Sequence, residues 1–540
     1  MDISSFPTDI WNLIIEQLVI IVGIKNAVLL RRTSRAFDAA IMKAICIAQV
    51  VDIHDPCTPY LGLDMDQSLR GKIALVKSRS NVAATQDLLV AIDSVNRKLD
   101  MLTGEMDDVS REKRHLTVAE TISSSNRTNY STGKAYDTTW DAQNILCGAV
   151  TIGDLHLVKS LLEERQTSMP SVEVDGSTPY FGRPLVIAAG LGYLDIVRYL
   201  LDKGARASLV FRRDKQTTDE MDTVNRDSDT RWQFWLVGLE NTDPTSAPSA
   251  LRAAVLGQHK HVLRELLLPE YGLAEPASKV EFLICLIAAA RGDVEIVQML
   301  VNVMEGESLS DFRGLGQEML WEAVRHDRKD VVQMLFDAGC VDANAFPYYP
   351  TRSLHGPLQW AAFLGKIDMM HFLLDRGADI HLNGLGRTGH SPIEGAAKSG
   401  QEEAVDLLLE LGADPLLALR IAVKESQPRI TKLVLDRFPD LLDRDDGQEG
   451  RLAMWHAVTR KNLRNITLLV ERGVSLNDGY KQSWEIPINA AKDGKGQWVV
   501  DHLLSLGAHD TSEDVREEDC SLTTGLVQLE ERTWQWVCKY

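Results

Sequence analysis

Ten alanines recur along the chain, at Ala149, Ala188, Ala254, Ala288, Ala323, Ala361, Ala396, Ala422, Ala457 and Ala491. They are separated by 39, 66, 34, 35, 38, 35, 26, 35 and 34 residues. A period this steady constrains the fold more than any other feature, because repeated units of this length bury their apolar faces only by stacking on one another. Three residues before each alanine, from the second copy onward, stands an apolar residue: Leu185, Leu251, Cys285, Leu320, Leu358, Ile393, Leu419, Met454 and Ile488. The small alanine lets helices approach closely. The leucine pairs Leu161/Leu162, Leu200/Leu201, Leu266/Leu267, Leu373/Leu374, Leu408/Leu409 and Leu503/Leu504 are expected to fill the core. Gly204, Gly339, Gly377, Gly412, Gly473 and Gly507 stand where a second helix must stop on a left-handed residue. Pro184, Pro357, Pro392 and Pro487 suit a first helical turn, where a missing N–H costs little.

The clearest copies are GRPLVIAAGLGYLDIVRYLLDKGA (182–205), GPLQWAAFLGKIDMMHFLLDRGADI (356–380) and HSPIEGAAKSGQEEAVDLLLELGADP (390–415). They resemble the ankyrin repeat: a TPLH-like turn, a short helix with Ala-Ala, a second helix ending in Leu-Leu, then Gly-Ala-Asp. The resemblance implies an all-α ankyrin-repeat solenoid of about ten helix-turn-helix repeats with hairpin fingers, over residues 141–510. The long interval after Ala188 reads as a finger insertion at about 207–248, with Trp232, Phe234, Trp235 and Leu236 docking back on the array. The short interval before Ala422 reads as a shortened finger.

Residues 1–50 fall outside the repeat. Phe6-Pro7-Thr8-Asp9-Ile10-Trp11, then Leu13-Ile14-Ile15 and Leu18, then Leu29 to Phe37, resemble an F-box. That family docks the Skp-type adaptor of cullin–RING ubiquitin ligases, and an F-box joined to ankyrin repeats resembles proteins of filamentous fungi. The carry-over places adaptor contacts at Pro7, Ile10, Leu13, Ile14 and Leu18, with Val19–Ala27 as an apolar connection before a second helix. The plainer expectation is an amphipathic cap whose apolar faces pack inward. Residues 51–140 read as a helical preamble, with clusters Ile73/Leu75/Val76 and Leu88/Leu89/Ile92, followed by a Ser/Thr/Asn-rich linker at 117–139. Residues 511–540 read as an acidic segment and a C-terminal capping helix.

The 540 residues carry a formal net charge of −19. A field of that sign repels phosphate backbones and anionic lipid, so neither nucleic acid nor a membrane is an expected partner. The apolar stretch Ile10–Ile24 is shorter than the roughly 20 residues a spanning helix needs. The seven cysteines are scattered without a CxxC pair, as in reduced thiols, and the expected compartment is the cytosol or nucleus. Gly384-x-Gly386-x-x-Gly389 lies between two repeats rather than after a strand, Gly494-Lys495 and Gly133-Lys134 lack the rest of a phosphate loop, and His259 and His261 stand apart from other metal ligands. No catalytic constellation, cofactor site or metal site is expected, and the chain reads as a binder rather than an enzyme.

In ankyrin repeats the residues free for function lie at the finger tips and at the outward positions of the first helix. By that resemblance the outward positions are one before and two and three after the marker alanine. Around Ala361 they are Trp360, Phe363 and Leu364, three apolar groups expected to face solvent together, beside Tyr348 and Tyr349 of the finger. Flanking repeats contribute Arg325 and His326, then Lys398, Lys424 and Arg460. Aromatic anchors beside a basic stripe fit a protein ligand that is part apolar and part anionic.

Overall fold

In a computed structural model of the chain, the described residues are 8–30, 35–46, 67–79, 87–104, 107–125, 137–163, 172–207, 247, 249–271, 279–304, 308–312, 314–347, 355–385, 390–480, 485–494 and 496–509. Among them the regular structure is entirely helical. The chain divides into two compact units, residues 1–289 with 295–305, and residues 290–294 with 306–540.

The first unit opens with α1 (Thr8–Leu30), α2 (Arg35–Cys46), α3 (Gln67–Ser78), α4 (Asp87–Thr103) and α5 (Asp108–Ser125). Ile15, Val19 and Ala27 of α1 pack on Ala40, Ile41, Ala44 and Ile45 of α2 and on Ile73 of α3. Trp11 meets Phe37 edge to face, with ring centroids 5.3 Å apart. The expected connection at Val19–Ala27 is instead helix: no proline interrupts this run, and Val19 and Ala27 share the buried face. The expected linker from residue 117 is corrected likewise. α5 runs to Ser125 because Val118, Ala119 and Ile122 recur at helical spacing and are all buried, a pattern the Ser/Thr content hid. Residues 126–136 lie outside the described residues.

Helix pairs follow: α6 (Asp141–Thr151) with α7 (Leu155–Glu163), α8 (Pro184–Leu191) with α9 (Leu194–Asp202), α10 (Ala250–Leu256) with α11 (Lys260–Leu266), and α12 (Lys279–Ala289) with α13 (Val294–Val301). The proposed docking residues of the insertion, Trp232 to Leu236, lie outside the described residues. The second unit contains α14 (Leu315–Arg325) with α15 (Lys329–Asp337), α16 (Pro357–Leu364) with α17 (Ile367–Leu374), and α18 (Pro392–Ser399) with α19 (Glu402–Glu410). It continues with α20 (Pro415–Lys424) and α21 (Pro428–Arg437), α22 (Arg444–Thr459) and α23 (Leu463–Glu471), and α24 (Pro487–Asp493) and α25 (Gln497–Ser505). The acidic segment and closing helix expected at 511–540 lie outside the described residues.

All ten marker alanines sit on the first helix of a pair and are buried, the most accessible being Ala491 at 3%. Among the described residues, eight of these pairs reverse four residues after the marker through a left-handed residue. Glycine supplies it at Gly153, Gly192, Gly365 and Gly400; Gln258, Asp327, Ser426 and Lys461 adopt it at φ 57°, 60°, 62° and 57°. The six glycines expected to end second helices all have positive φ. The four prolines open helices α8, α16, α18 and α24. The leucine pairs divide: Leu200, Leu266, Leu373, Leu408 and Leu503 are buried, whereas Leu504 is 41% exposed and Leu374 half-buried. Adjacent residues on a helix point about 100° apart, so only one of each pair need face the neighbouring helices. The short interval before Ala422 is a finger reduced to Leu411–Asp414, with Asp414 capping α20 through Leu416 N–H.

Ion pairs tie neighbouring repeats. In the first unit Arg252 of α10 reaches Glu281 of α12, which also accepts from Ser249 Oγ at 2.8 Å. In the second, Arg291 Nε lies 2.9 Å from Glu322, and Arg420 Nε 2.9 Å from Glu449.

Candidate functional site

The marker alanines face inward, so the outward positions of the first helices form a surface of their own in the second unit. Gly356 and Pro357 start α16 one turn before Trp360, which fixes the ring at the outward position of the helix. Trp360 stands edge-on to Phe363, with centroids 5.5 Å apart, and to Trp321 of α14 at 5.8 Å. His355 of the preceding hairpin closes on the same ring at 6.1 Å. The expectation of three solvent-facing apolar groups is therefore corrected: Trp360, Phe363 and Leu364 are half-buried, because Trp321 and His355 cover part of the cluster. Tyr348 and Tyr349 lie outside the described residues.

A row of cations continues from the cluster. The His355 and His390 rings stack, with centroids 5.8 Å apart and planes 17° apart, and Lys398 Nζ lies 3.5 Å from His390 Nε2. Burial, then the charge of Lys398, holds His390 below the usual histidine range, and Lys424 acts on it in the same sense while Glu394 and Glu425 oppose. Burial, then His390 and Lys398, pushes His355 down to about 4. Further along, burial and then Lys424 and Arg460 push His456 of α22 down to about 4. Trp455 packs beside His456, with centroids 4.9 Å apart. On the other side of the cluster, Arg325 is exposed and its guanidinium lies 5.4 Å from the Trp321 ring centre. His326 is beside Glu322, 3.6 Å away, yet burial keeps its pKa low.

Contacts thus run from Phe363 and Trp360 through His355 and His390 to Lys398, with Arg325 on the Trp321 ring at the other side; Lys424 and Arg460 stand at the ends of the first helices of later pairs. Sequence reasoning missed Trp321, His355, His390 and His456. His456 occupies the outward position before Ala457 and was open to detection by the same rule; His355 and His390 become neighbours only when two hairpins stack.

Residues 355–384 match the family described as Ankyrin repeat. The fold is an ankyrin-repeat fold. A stretch of 69 residues is 45% identical to "Ankyrin repeat, SAM and basic leucine zipper domain-containing protein 1" of Equus caballus, covering 13% of this chain and 13% of that protein. The Chlorocebus aethiops protein of the same name is 44% identical over 69 residues, again 13% of each. The chain therefore spans about an eighth of the length of these curated relatives. The solved human ASB11 ankyrin repeat domain is similar at 23% identity and a TM-score of 0.30, over 39% of this chain and 96% of that one.

Ankyrin repeats make this a protein–protein interaction module. Among the described residues no group of three His, Cys, Asp or Glu is placed to hold a metal ion, and no helix is long and apolar enough to cross a membrane. His259 and His261 do not stand apart from one another: their ring centroids are 5.8 Å apart. Each Nε2–H donates to the preceding repeat's turn, at Gly190 O (3.0 Å) and Gly192 O (2.9 Å), which makes them structural ties. Cys147 and Cys285 are buried thiols whose pKa values burial raises, so they are poor nucleophiles. A cleft of about 570 Å³ between α19 and α21 is lined by residues that pair internally, as Arg437 does with Asp406 at 2.9 Å, and presents little unbalanced charge.

His355, His390 and His456, like His326 and His259, are held low and set a pH dependence. Their folded pKa values lie below the ordinary 6.5, at about 4 for His355 and His456, so between about 6.5 and 4 the unfolded chain holds protons at these two that the folded chain does not, and His390 adds in the same direction. Stability is then expected to fall as pH drops through that window. Thermal melts from pH 7 to 4 check it, and His355→Asn with His456→Asn should flatten the acid limb; an unchanged slope in the double variant removes the assignment.

Proposed function

We propose that this chain is a substrate receptor: the row from Trp360 to Arg460 holds an acidic, partly apolar segment of a target protein, and α1 docks a Skp-type adaptor of a ubiquitin ligase. The target would be modified by another component of the assembly, with this chain supplying no catalytic group. The observation that supports the binding half is the run of contacts from the Trp321–Trp360–Phe363 cluster through His355 and His390 to Lys398, on a chain of net charge −19. The test is to compare partner capture by two variants. Trp360→Ala is expected to weaken binding by about 2 kcal/mol or more, as truncated aromatic anchors do. Its contacts with Trp321 also predict a stability loss of about 0.5–1.5 kcal/mol per aromatic pair. Lys398→Glu is expected to slow association and change its salt dependence, flattening it, with little change in melting temperature. Unchanged affinity in both variants would move the binding surface elsewhere.

The adaptor half rests on α1. Ile10, Leu13 and Ile14 are 48%, 59% and 45% exposed, while Ile15 and Val19 on the other face are buried. Leu18 packs against the α1–α2 core and so leaves the candidate contact face; Pro7 lies outside the described residues. Ile14→Glu is expected to abolish co-purification of a Skp-type adaptor without unfolding the chain. If the wild-type chain retains no such adaptor, a scaffold or inhibitor without a ligase role takes its place. The continuous α1, with its buried face on α2 and α3, favours that second reading, in which residues 1–50 only cap the array.

A further inference from the structure

In each of the ten helix pairs the third residue of the second helix stands eight positions after the marker alanine. Nine of these residues are apolar and buried, from Leu157 and Ile296 to Ile430 and Val499. The tenth is Asn465 of α23, which is 0% exposed. Its backbone N–H is held by Asn462 Oδ1 at 3.1 Å, but neither Oδ1 nor Nδ2 of its side chain has a hydrogen-bond partner in the protein. No other described side chain has two polar atoms buried in this way. An amide that enters the core gives up its bonds to water, and without replacements it costs free energy that an apolar side chain at the same place does not.

The same pair carries a second cost. Asp445, Asp446 and Gly447 of α22 are left-handed in succession, with φ of 52°, 55° and 76°. The other left-handed residues that are not glycine, Gln258, Asp327, Ser426 and Lys461, each stand singly at a reversal. An L-residue in this conformation brings its Cβ close to the following carbonyl oxygen.

The last pair leans on this weak one. α24 packs on α22. Leu504 of α25 is 41% exposed, whereas Leu409 of α19 and Leu435 of α21, at the same place in their repeats, are 6% and 0% exposed. Stacked repeats gain stability from their neighbours, so a cost in α22 and α23 passes to α24 and α25. On the other side, Arg420 of α20 pairs with Glu449 of α22, and Arg472 Nη1 donates to Leu435 O at 2.8 Å. These directional links set the register in which the two sides meet.

We propose that α22–α25 open as one module while the repeats before them stay folded, and that Asn465 sets how readily the module opens. This conformational device is separate from the groove reading: two repeats leave and rejoin the array without global unfolding.

Hydrogen–deuterium exchange of the full chain, read by mass spectrometry, tests it. In the wild-type chain the amides of α22, α23 and α25 are expected to share one level of protection, with exchange about tenfold or more faster than in α17 and α19. Asn465→Leu should slow exchange in α22, α23 and α25 together by about tenfold or more and leave α17 and α19 unchanged. Asn465→Val is measured beside it, because valine is the residue that fits this place at Val262, Val331 and Val499 and removes the risk of overpacking. Slowing throughout the module in either variant supports the proposal. Exchange as fast as wild type in both variants, slowing confined to α23, or wild-type protection in α22–α25 equal to that in α17 and α19 overturns it.

Discussion

Arg252→Ala is expected to destabilise the first unit by about 3–5 kcal/mol, because it strips a buried carboxylate of its cation. The Arg252 and Glu281 side chains are 5% and 7% exposed, and the acid also accepts from Ser249 Oγ. Removing one charge leaves the other in a region of low dielectric, where water cannot replace the lost partner. Replacing both, as Arg252→Met with Glu281→Leu, should recover most of the loss, since a well-packed apolar pair often matches a buried ion pair. Urea titration of the two variants measures both numbers. A loss below about 1 kcal/mol in the single variant would mean that water reaches Glu281.

The second large effect is expected at Leu373→Ala, at about 2–5 kcal/mol. Leu373 of α17 is fully buried, whereas its neighbour Leu374 is half-buried, so Leu374→Ala should cost clearly less. Coupling in stacked repeats runs between nearest neighbours, so a weak interior repeat should also separate the unfolding of the repeats on either side of it. Denaturation of Leu373→Ala should become multi-step. A single transition at the wild-type midpoint would show that this helix does not face the core.

The repeat itself was legible in the sequence because stacking demands the same residue at the same place each time. A residue larger than alanine at positions 361 or 396 would push the helices apart, so the marker survives even where the rest of the copy diverges. The chain reversals were only partly legible. Glycine announces a left-handed residue at Gly377 or Gly412, but Gln258, Ser426 and Lys461 adopt the same conformation without a compositional signal.

At the ends, composition misled. Ser and Thr residues between 117 and 125 read as a linker, yet Val118, Ala119 and Ile122 bury one helical face and carry α5 through them. The apolar run Val19–Ala27 read as a connection, although nothing in it stops a helix.

The sequence by itself determined the ankyrin-repeat architecture and the register of the helices that carry Trp360, Lys398 and Lys424, since each follows from local spacing. Only the tertiary structure decided how those residues meet. Trp321 packs on Trp360, His355 stacks on His390, and Lys424 acts on His456, pairs about 30 or more residues apart along the chain. Side-chain contacts of that kind depend on the packing distance and the rotation of one repeat on the next, and no local pattern in the chain encodes either.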